Sequence, residues 1–169
     1  MPRLIEQELA YDFPSSWEVT KYDDWAFYRN QFQNCCKGNK AMDFLAFNPA
    51  DRTLWMIEIK DYRQHPRTKD DTLSLWDEVA IKARDTLSGL FAAKVEAGHA
   101  FAMRSVTTMK LRVVLHLEQP TTRRKSFPRA YDPAYIQQKI KQLVKPIDAH
   151  PRVVELGNMS CVPWTAESI

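Results

Sequence analysis

The chain has 169 residues, of which 44% are hydrophobic, 27% are charged and four are glycine. This composition excludes collagen-like, low-complexity and intrinsically disordered classes, and it predicts a single domain over residues 1–169. The formal net charge of +3 is compatible with a polyanionic partner but does not require one.

The cysteines and the amino terminus predict a soluble, cytoplasmic protein. Cys35, Cys36 and Cys161 lack the spacing of a zinc site, and the vicinal pair is poorly placed for a mutual disulfide, so we expect free thiols in a reducing compartment. Glu6 interrupts the amino terminus, which argues against a signal peptide. No run approaches the ~20 apolar residues of a membrane span.

One helix and three strands are predicted in the first half of the chain. Apolar spacing predicts a helix over residues 2–10, and β-rich alternation predicts a strand over 17–22. Two apolar runs, 41–47 and 54–61, are predicted as strands joined by a hairpin loop. Residues 24–33 are compatible with either a helical turn or a strand. Residues 37–40 are predicted as a turn.

The second half predicts a long helix followed by a strand, a helix and a short strand. Apolar residues recur at helical spacing over 72–97, and Gly98 is a natural helix end. The later segments are a strand over 110–118, a basic connection over 121–130, a helix over 133–144 and a strand over 152–156. The long helix lies on a connection of the length that joins parallel strands, so we expect an α/β fold with a mixed central sheet flanked by helices.

Two acids lie among apolar neighbours in the predicted hairpin. If Phe47 pairs with Leu54, Asp43 falls opposite Glu58, where opposed Cβ atoms are about 4.5–5.5 Å apart. Lys60 lies two positions beyond Glu58 and therefore points to the same face. Two carboxylates so close repel each other unless a cation neutralises them, which indicates a site for Mg²⁺ or Mn²⁺.

Glu8 is a further candidate acid. On a helical wheel it lies inside the apolar arc formed by Leu4, Ile5 and Leu9, so in a buried face it would need a partner. We expect Glu8 to ligate the metal or to position a water molecule. The alternative is an exposed side chain on a frayed helix.

The spacing of Asp43 and of the triplet Glu58-Ile59-Lys60 on an apolar strand resembles the PD-(D/E)XK, or restriction-endonuclease-like, nuclease superfamily. The predicted αβββαβ order resembles the core of that superfamily. The resemblance covers about residues 2–118 and leaves 119–169 as a basic loop, a helix and a short strand. Met42 stands where the family's name has proline.

This resemblance implies roles for the residues that match the motif. Asp43, Glu58 and the backbone carbonyl of Ile59 would bind the metal. Lys60 would orient or activate the attacking water, and Glu8 would be the acid of the first helix. A structural ion pair on a half-exposed sheet face is the alternative for the motif residues.

Basic side chains outside the motif are candidates for contact with nucleic acid. They are Lys82 and Arg84 on the long helix and Arg123, Arg124, Lys125 and Arg129 in the basic connection. Such contacts would be with phosphates and would not depend on base sequence. A solvated surface is the alternative for both groups.

These observations favour a Mg²⁺- or Mn²⁺-dependent nuclease that hydrolyses DNA phosphodiester bonds, with RNA as an open alternative substrate. A catalytically inactive nuclease-fold subunit for nucleic-acid binding or assembly is the second hypothesis. An α/β protein whose Glu58–Lys60 pair is only structural is the third. A homodimer or a subunit of a larger complex is compatible with the small size of the chain.

Overall fold

A computed structural model of the chain describes residues 1–65, 67, 72–108, 110–120 and 131–169. In these ranges the strands are β1 (Arg3–Glu6), β2 (Leu9–Asp12), β3 (Glu18–Lys21), β4 (Phe44–Asn48), β5 (Thr53–Asp61), β6 (Lys110–Glu118), β7 (Arg152–Val154) and β8 (Thr165–Ser168). The α-helices are α1 (Leu75–Ala97), α2 (Ala100–Ser105) and α3 (Pro133–Val144). A π-helical turn (Tyr28–Phe32) and a 3₁₀ turn (Cys35–Lys37) lie between β3 and β4.

The larger sheet is mixed and has the strand order β3-β4-β5-β6-β7. Strands β3, β4 and β5 are antiparallel, whereas β5, β6 and β7 are parallel. Helix α1 lies on the connection from β5 to β6, and α3 lies on the connection from β6 to β7. These observations confirm the predicted α/β class, in which helices flank a mixed sheet. They also confirm the predicted parallel crossover through the long helix.

Alternate residues of the central strands pack into two different cores. Leu54 and Met56 of β5 belong to the core that also contains the buried faces of α1 and α3. Ile57 and Ile59 belong to a second core on the opposite face, where β2 and the aromatic side chain of Trp164 cover the sheet. A second, antiparallel sheet of order β1-β2-β8 carries that cover. The central sheet is therefore buried on both faces.

The two longer helices begin and end where capping chemistry predicts. The side chain of Ser74 accepts a hydrogen bond from the backbone N–H of Asp77 at the start of α1. Gly98 ends α1 with φ 56°, in the left-handed conformation that glycine adopts without a steric penalty. Asp132 caps α3, and Pro133 occupies its first turn.

The predicted helix over residues 2–10 is wrong, because this segment forms the β1–β2 hairpin. Leu9, Tyr11 and Phe13 are fully buried, and their spacing of two residues places them together on the second core. Gln7 allows the tight turn by adopting φ 53°. The αβββαβ order is therefore not formed in its first element.

Smaller differences concern short elements. Residues 24–33 contain a helical turn rather than a strand, α2 and β8 are additional elements, and β7 ends at Val154. None of the helices in the described ranges is long and apolar enough to span a membrane.

Gly89→Ala should destabilise the fold although alanine favours a helix by up to about 1 kcal/mol. A Cβ atom at Gly89 of α1 would lie 1.9 Å from the hydroxyl oxygen of Tyr22 and 3.0 Å from the ring of Phe32. Tyr22 is fully buried and cannot move aside freely, so we expect a loss of about 1–3 kcal/mol in urea unfolding.

Gly157→Ala is the matched control, because its Cβ would meet no atom within 4 Å and its side chain would be exposed. We expect it to change stability by less than about 0.5 kcal/mol. Equal stability of the two variants would show that the contact between α1 and Tyr22 is looser than the structure describes.

Candidate functional site

The predicted acid pair comes together at the open end of the β4–β5 hairpin. Phe44 of β4 pairs with Ile57 of β5, so Asp43, which directly precedes β4, comes level with Glu58. One carboxylate oxygen of Asp43 accepts a hydrogen bond from the backbone N–H of Ile59 at 2.6 Å. The side chain of Glu58 is completely buried. The register predicted from the hairpin loop is confirmed.

Helix α1 supplies a cation to this pair, and Lys60 supplies a second. Nζ of Lys82 lies 2.6 Å from Oε1 of Glu58 and 3.6 Å from Oδ1 of Asp43. Nζ of Lys60 lies 3.1 Å from the same oxygen of Glu58 and 2.8 Å from Oε1 of Glu78. We call these five side chains the carboxylate–lysine cluster.

Glu78 is absent from the set of predicted site residues. It lies four positions before Lys82 on α1, so both side chains project from one face of the helix toward β5. Its second oxygen lies 3.5 Å from a guanidinium nitrogen of Arg67. The signal that could have found it is this acid–base pair at helical spacing beside a predicted buried strand.

Burial dominates the ionisation of the two acids. Burial, and after it the nearby charge of Asp43, raise the pKa of Glu58 to about 7 against the opposing effects of Lys82 and Lys60. Burial also raises the pKa of Asp43, although Lys82 and the hydrogen bond from Ile59 oppose the shift. Glu58 therefore exchanges its proton close to neutral pH.

The two lysines remain charged in spite of their burial. Burial disfavours the ammonium form of Lys60, but Glu58 and Glu78 outweigh it and raise its pKa. Burial likewise opposes the charge of Lys82, and Glu58 together with Asp43 raises its pKa overall. The lysines thus act as the cations that make the buried acids tolerable.

The residues of the cluster fit a hard divalent cation in part. Oε2 of Glu58 is buried and has no hydrogen-bond partner, and carboxylate oxygens are the donors that Mg²⁺ prefers. Lys82, however, already lies between the two acids. The described ranges contain no group of three His, Cys, Asp or Glu residues that could hold a metal ion. The donors that remain are the two carboxylates, the predicted backbone carbonyl of Ile59, water and a ligand oxygen.

The other predicted site residues lie outside the cluster. Glu8 is exposed in the turn between β1 and β2, so its predicted place on a first helix is wrong, because the segment is a hairpin. Arg84 forms an ion pair with Asp85 at 2.9 Å and is largely exposed. The four basic residues Arg123, Arg124, Lys125 and Arg129 lie outside the described residues.

Two pockets are lined by residues of the cluster. The larger, of about 420 Å³, is lined in part by Asp43 and Lys82, together with the cations Arg29 and Lys40. The smaller, of about 340 Å³, is lined in part by Lys60 and by residues of the β1–β2 turn. Both lysines of the cluster therefore border space that a ligand can enter.

Comparison with known proteins gives one informative similarity. No protein-family model matches the chain, and no solved structure matches it significantly. The chain is 28% identical to a cysteine–tRNA ligase of Neisseria meningitidis (serogroup A, serotype 4A) over an alignment of 212 residues. The alignment covers 99% of this chain but only 30% of that relative, so the chain spans less than a third of the relative's length.

This similarity overturns the predicted function. A DNA nuclease, and its inactive counterpart as the alternative, are wrong, because the similarity over nearly the whole chain is to a cysteine–tRNA ligase. The class names nuclease, hydrolase and restriction-endonuclease-like enzyme are wrong for the same reason. Physically, the spacing of Asp43, Glu58 and Lys60 is also satisfied by acids whose charge lysines neutralise.

Glu58→Gln should remove a pH dependence of stability. Because burial raises the pKa of Glu58 to about 7, the folded protein holds this proton more tightly than the unfolded chain does. Stability from this group is then lost as the pH rises from the unfolded pKa of about 4.5 to about 7. The variant cannot ionise at this position, so it should lack this fall. Across that interval the stability difference between the two proteins should shift in the variant's favour by up to about 3 kcal/mol, on top of the pH-independent cost of removing the ion pair with Lys82.

Urea unfolding at a series of pH values between about 4 and about 8 measures this difference. Glu96→Gln, at an exposed position of α1, is the matched control and should give a curve parallel to that of the natural protein. A parallel curve for Glu58→Gln as well would show that folding does not raise the pKa of Glu58.

Proposed function

We propose that this chain is a tRNA-contacting domain that serves cysteine–tRNA ligation. The observation that carries the proposal is the 28% identity to a cysteine–tRNA ligase over 99% of the chain. Because the chain corresponds to only 30% of that relative, we assign it a contribution to tRNA contact and not the whole ligation reaction. RNA is thus the partner that we propose among the polyanions that the net charge permits.

The charges around the larger pocket support contact with a phosphate backbone. Arg29, Lys40 and Lys82 border this pocket together with the acids Asp23 and Asp43. Cations of this kind bind phosphate oxygens without regard to base sequence. Lys60 borders the smaller pocket, where it can contact a second phosphate.

We propose further that Mg²⁺ binds at Asp43 and Glu58 and bridges them to a phosphate. The unpartnered Oε2 of Glu58 supports this, as does the preference of Mg²⁺ for one or two carboxylates with water and phosphate oxygens. The backbone carbonyl of Ile59 remains the proposed third protein ligand. Because Lys82 lies against both acids, the metal and this ammonium group compete for the negative charge of the same two carboxylates.

We also propose that the segment from β3 to β6 shares the PD-(D/E)XK fold as a structural kinship only. Three antiparallel strands, a crossover helix and a parallel strand support it, with Asp43 before β4 and Glu58 in β5. The hairpin in place of a first helix is a departure from that core. It stays a prediction that residues 1–169 form one domain, either alone or as part of a larger assembly.

The chain should bind tRNA more tightly than a DNA duplex with the same number of phosphates at the same salt concentration. Fluorescence anisotropy with a cysteine tRNA transcript measures the affinities. Lys60→Gln should weaken tRNA binding and lower the slope of log affinity against log salt concentration by about one, because one phosphate contact is lost.

Lys141→Gln, which removes an equal charge from an exposed position of α3, is the matched control and should leave the salt slope unchanged. Equal affinity for tRNA and duplex DNA would contradict the proposal. Equal effects of the two lysine substitutions would contradict the placement of the contact at Lys60.

Titration calorimetry with Mn²⁺ tests the metal. The natural chain should bind one ion, and Asp43→Asn and Glu58→Gln should each lose this binding, whereas Glu96→Gln should retain it. Lys82→Met should tighten binding, because the competing cation is removed. Binding that none of these substitutions changes would place the ion elsewhere and would end the proposal of metal at Asp43 and Glu58.

A further inference from the structure

Two adjacent thiols lie side by side on the protein surface. Cys35 and Cys36 are both exposed, and their Sγ atoms are 3.5 Å apart. They belong to the 3₁₀ turn that follows the π-helical turn. Nothing in the proposed contact with tRNA uses them.

The backbone of this turn holds the two sulfur atoms together. Side chains of adjacent residues point to opposite faces in an extended chain, but Cys36 adopts φ 51° and ψ 39°, in the left-handed region. Asn39 secures the turn, because its side-chain amide donates hydrogen bonds to the carbonyl oxygens of Cys35 at 2.7 Å and Phe32 at 3.0 Å. A left-handed conformation at a residue other than glycine is costly and persists where such contacts impose it.

The distance between the sulfur atoms identifies the chemistry that the pair can perform. A disulfide requires about 2.05 Å, so the sulfur atoms would have to approach by roughly 1.5 Å. Two thiolates on one tetrahedral zinc ion, with Zn–S bonds of about 2.3 Å, are separated by about 3.8 Å. The observed 3.5 Å is therefore much closer to a chelate than to a disulfide.

We propose that Cys35 and Cys36 together chelate one thiophilic divalent cation of the Zn²⁺ and Cd²⁺ class. Each thiol releases its proton to the solvent and donates a sulfur electron pair, and no electron is transferred. The described ranges contain no set of three His, Cys, Asp or Glu residues around one point, so water completes the tetrahedron. Sulfur ligands separate this site chemically from the oxygen donors of the carboxylate–lysine cluster.

The turn also borders the larger pocket. Asn39, which holds the carbonyl of Cys35, lines that pocket together with Lys40. Protons compete with the metal for both sulfur atoms, because only the thiolate form of cysteine is a ligand. The apparent affinity for the metal therefore increases with pH.

Titration of the reduced chain with Cd²⁺ tests this inference. The ultraviolet absorption from charge transfer between sulfur and cadmium should saturate at one ion per chain, with release of two protons measured in weak buffer. Cys35→Ser and Cys36→Ser should each lose the saturable absorption. Cys161→Ser is the matched control, because Cys161 is also exposed and free but is no part of the pair, and it should titrate like the natural chain.

Three results would overturn the inference. The first is that Cys35→Ser and Cys36→Ser both keep the saturable absorption of the natural chain. The second is that Cys161→Ser loses this absorption to the same extent as they do. The third is that the absorption saturates at one cadmium ion for two chains. Circular dichroism checks that each variant is folded, which we expect because all three positions are exposed and serine leaves the core intact. The titration contains no RNA, so its outcome is independent of the proposed contact with tRNA.

Discussion

The burial of Glu58 against Lys82 is the interaction on which the rest of the structure depends. Glu58 lies in the middle of the central sheet with no solvent exposure, and a carboxylate there is tolerated only with a cation against it. Helix α1 provides that cation at 2.6 Å. Loss of one partner of such a pair typically costs about 3–5 kcal/mol, because the other charge stays buried alone. The helix and the sheet are thus joined by charge as well as by apolar packing.

This ion network also shows why the nuclease prediction was wrong. An enzyme with two catalytic carboxylates requires an acid on one strand and an acid-x-lysine triplet on the next. Asp43 and the triplet that ends at Lys60 match this pattern. A sheet that neutralises its buried acids internally satisfies the same pattern, as Lys60 and Lys82 do for Glu58. The motif therefore predicts that these charges come together, but it does not by itself predict a catalytic role.

Much of the central sheet and of its acid pair is predictable from the sequence, because local features determine both. Strand β6 and helix α3 have the predicted bounds, since strong apolar periodicity and the Asp132-Pro133 cap mark them. The hairpin at β1–β2 is not predictable in this way, because its turn residue Gln7 carries no turn signal and its first residues match a helical arc. Strand β8 has almost no buried side chains and is held by backbone pairing with β2.

The position of the charges also accounts for the register of the central strands. Residues 54, 56, 58 and 60 of β5 point toward α1, while Ile57 and Ile59 pack against the aromatic core beneath the smaller sheet. A slip by one residue would exchange these faces and leave Glu58 among aromatic side chains with no lysine in reach. That register would bury an unpaired charge, so the ionic network excludes it more strongly than apolar packing alone does. The same electrostatic requirement that fixes the pairing of β4 with β5 thus brings Asp43 to Glu58.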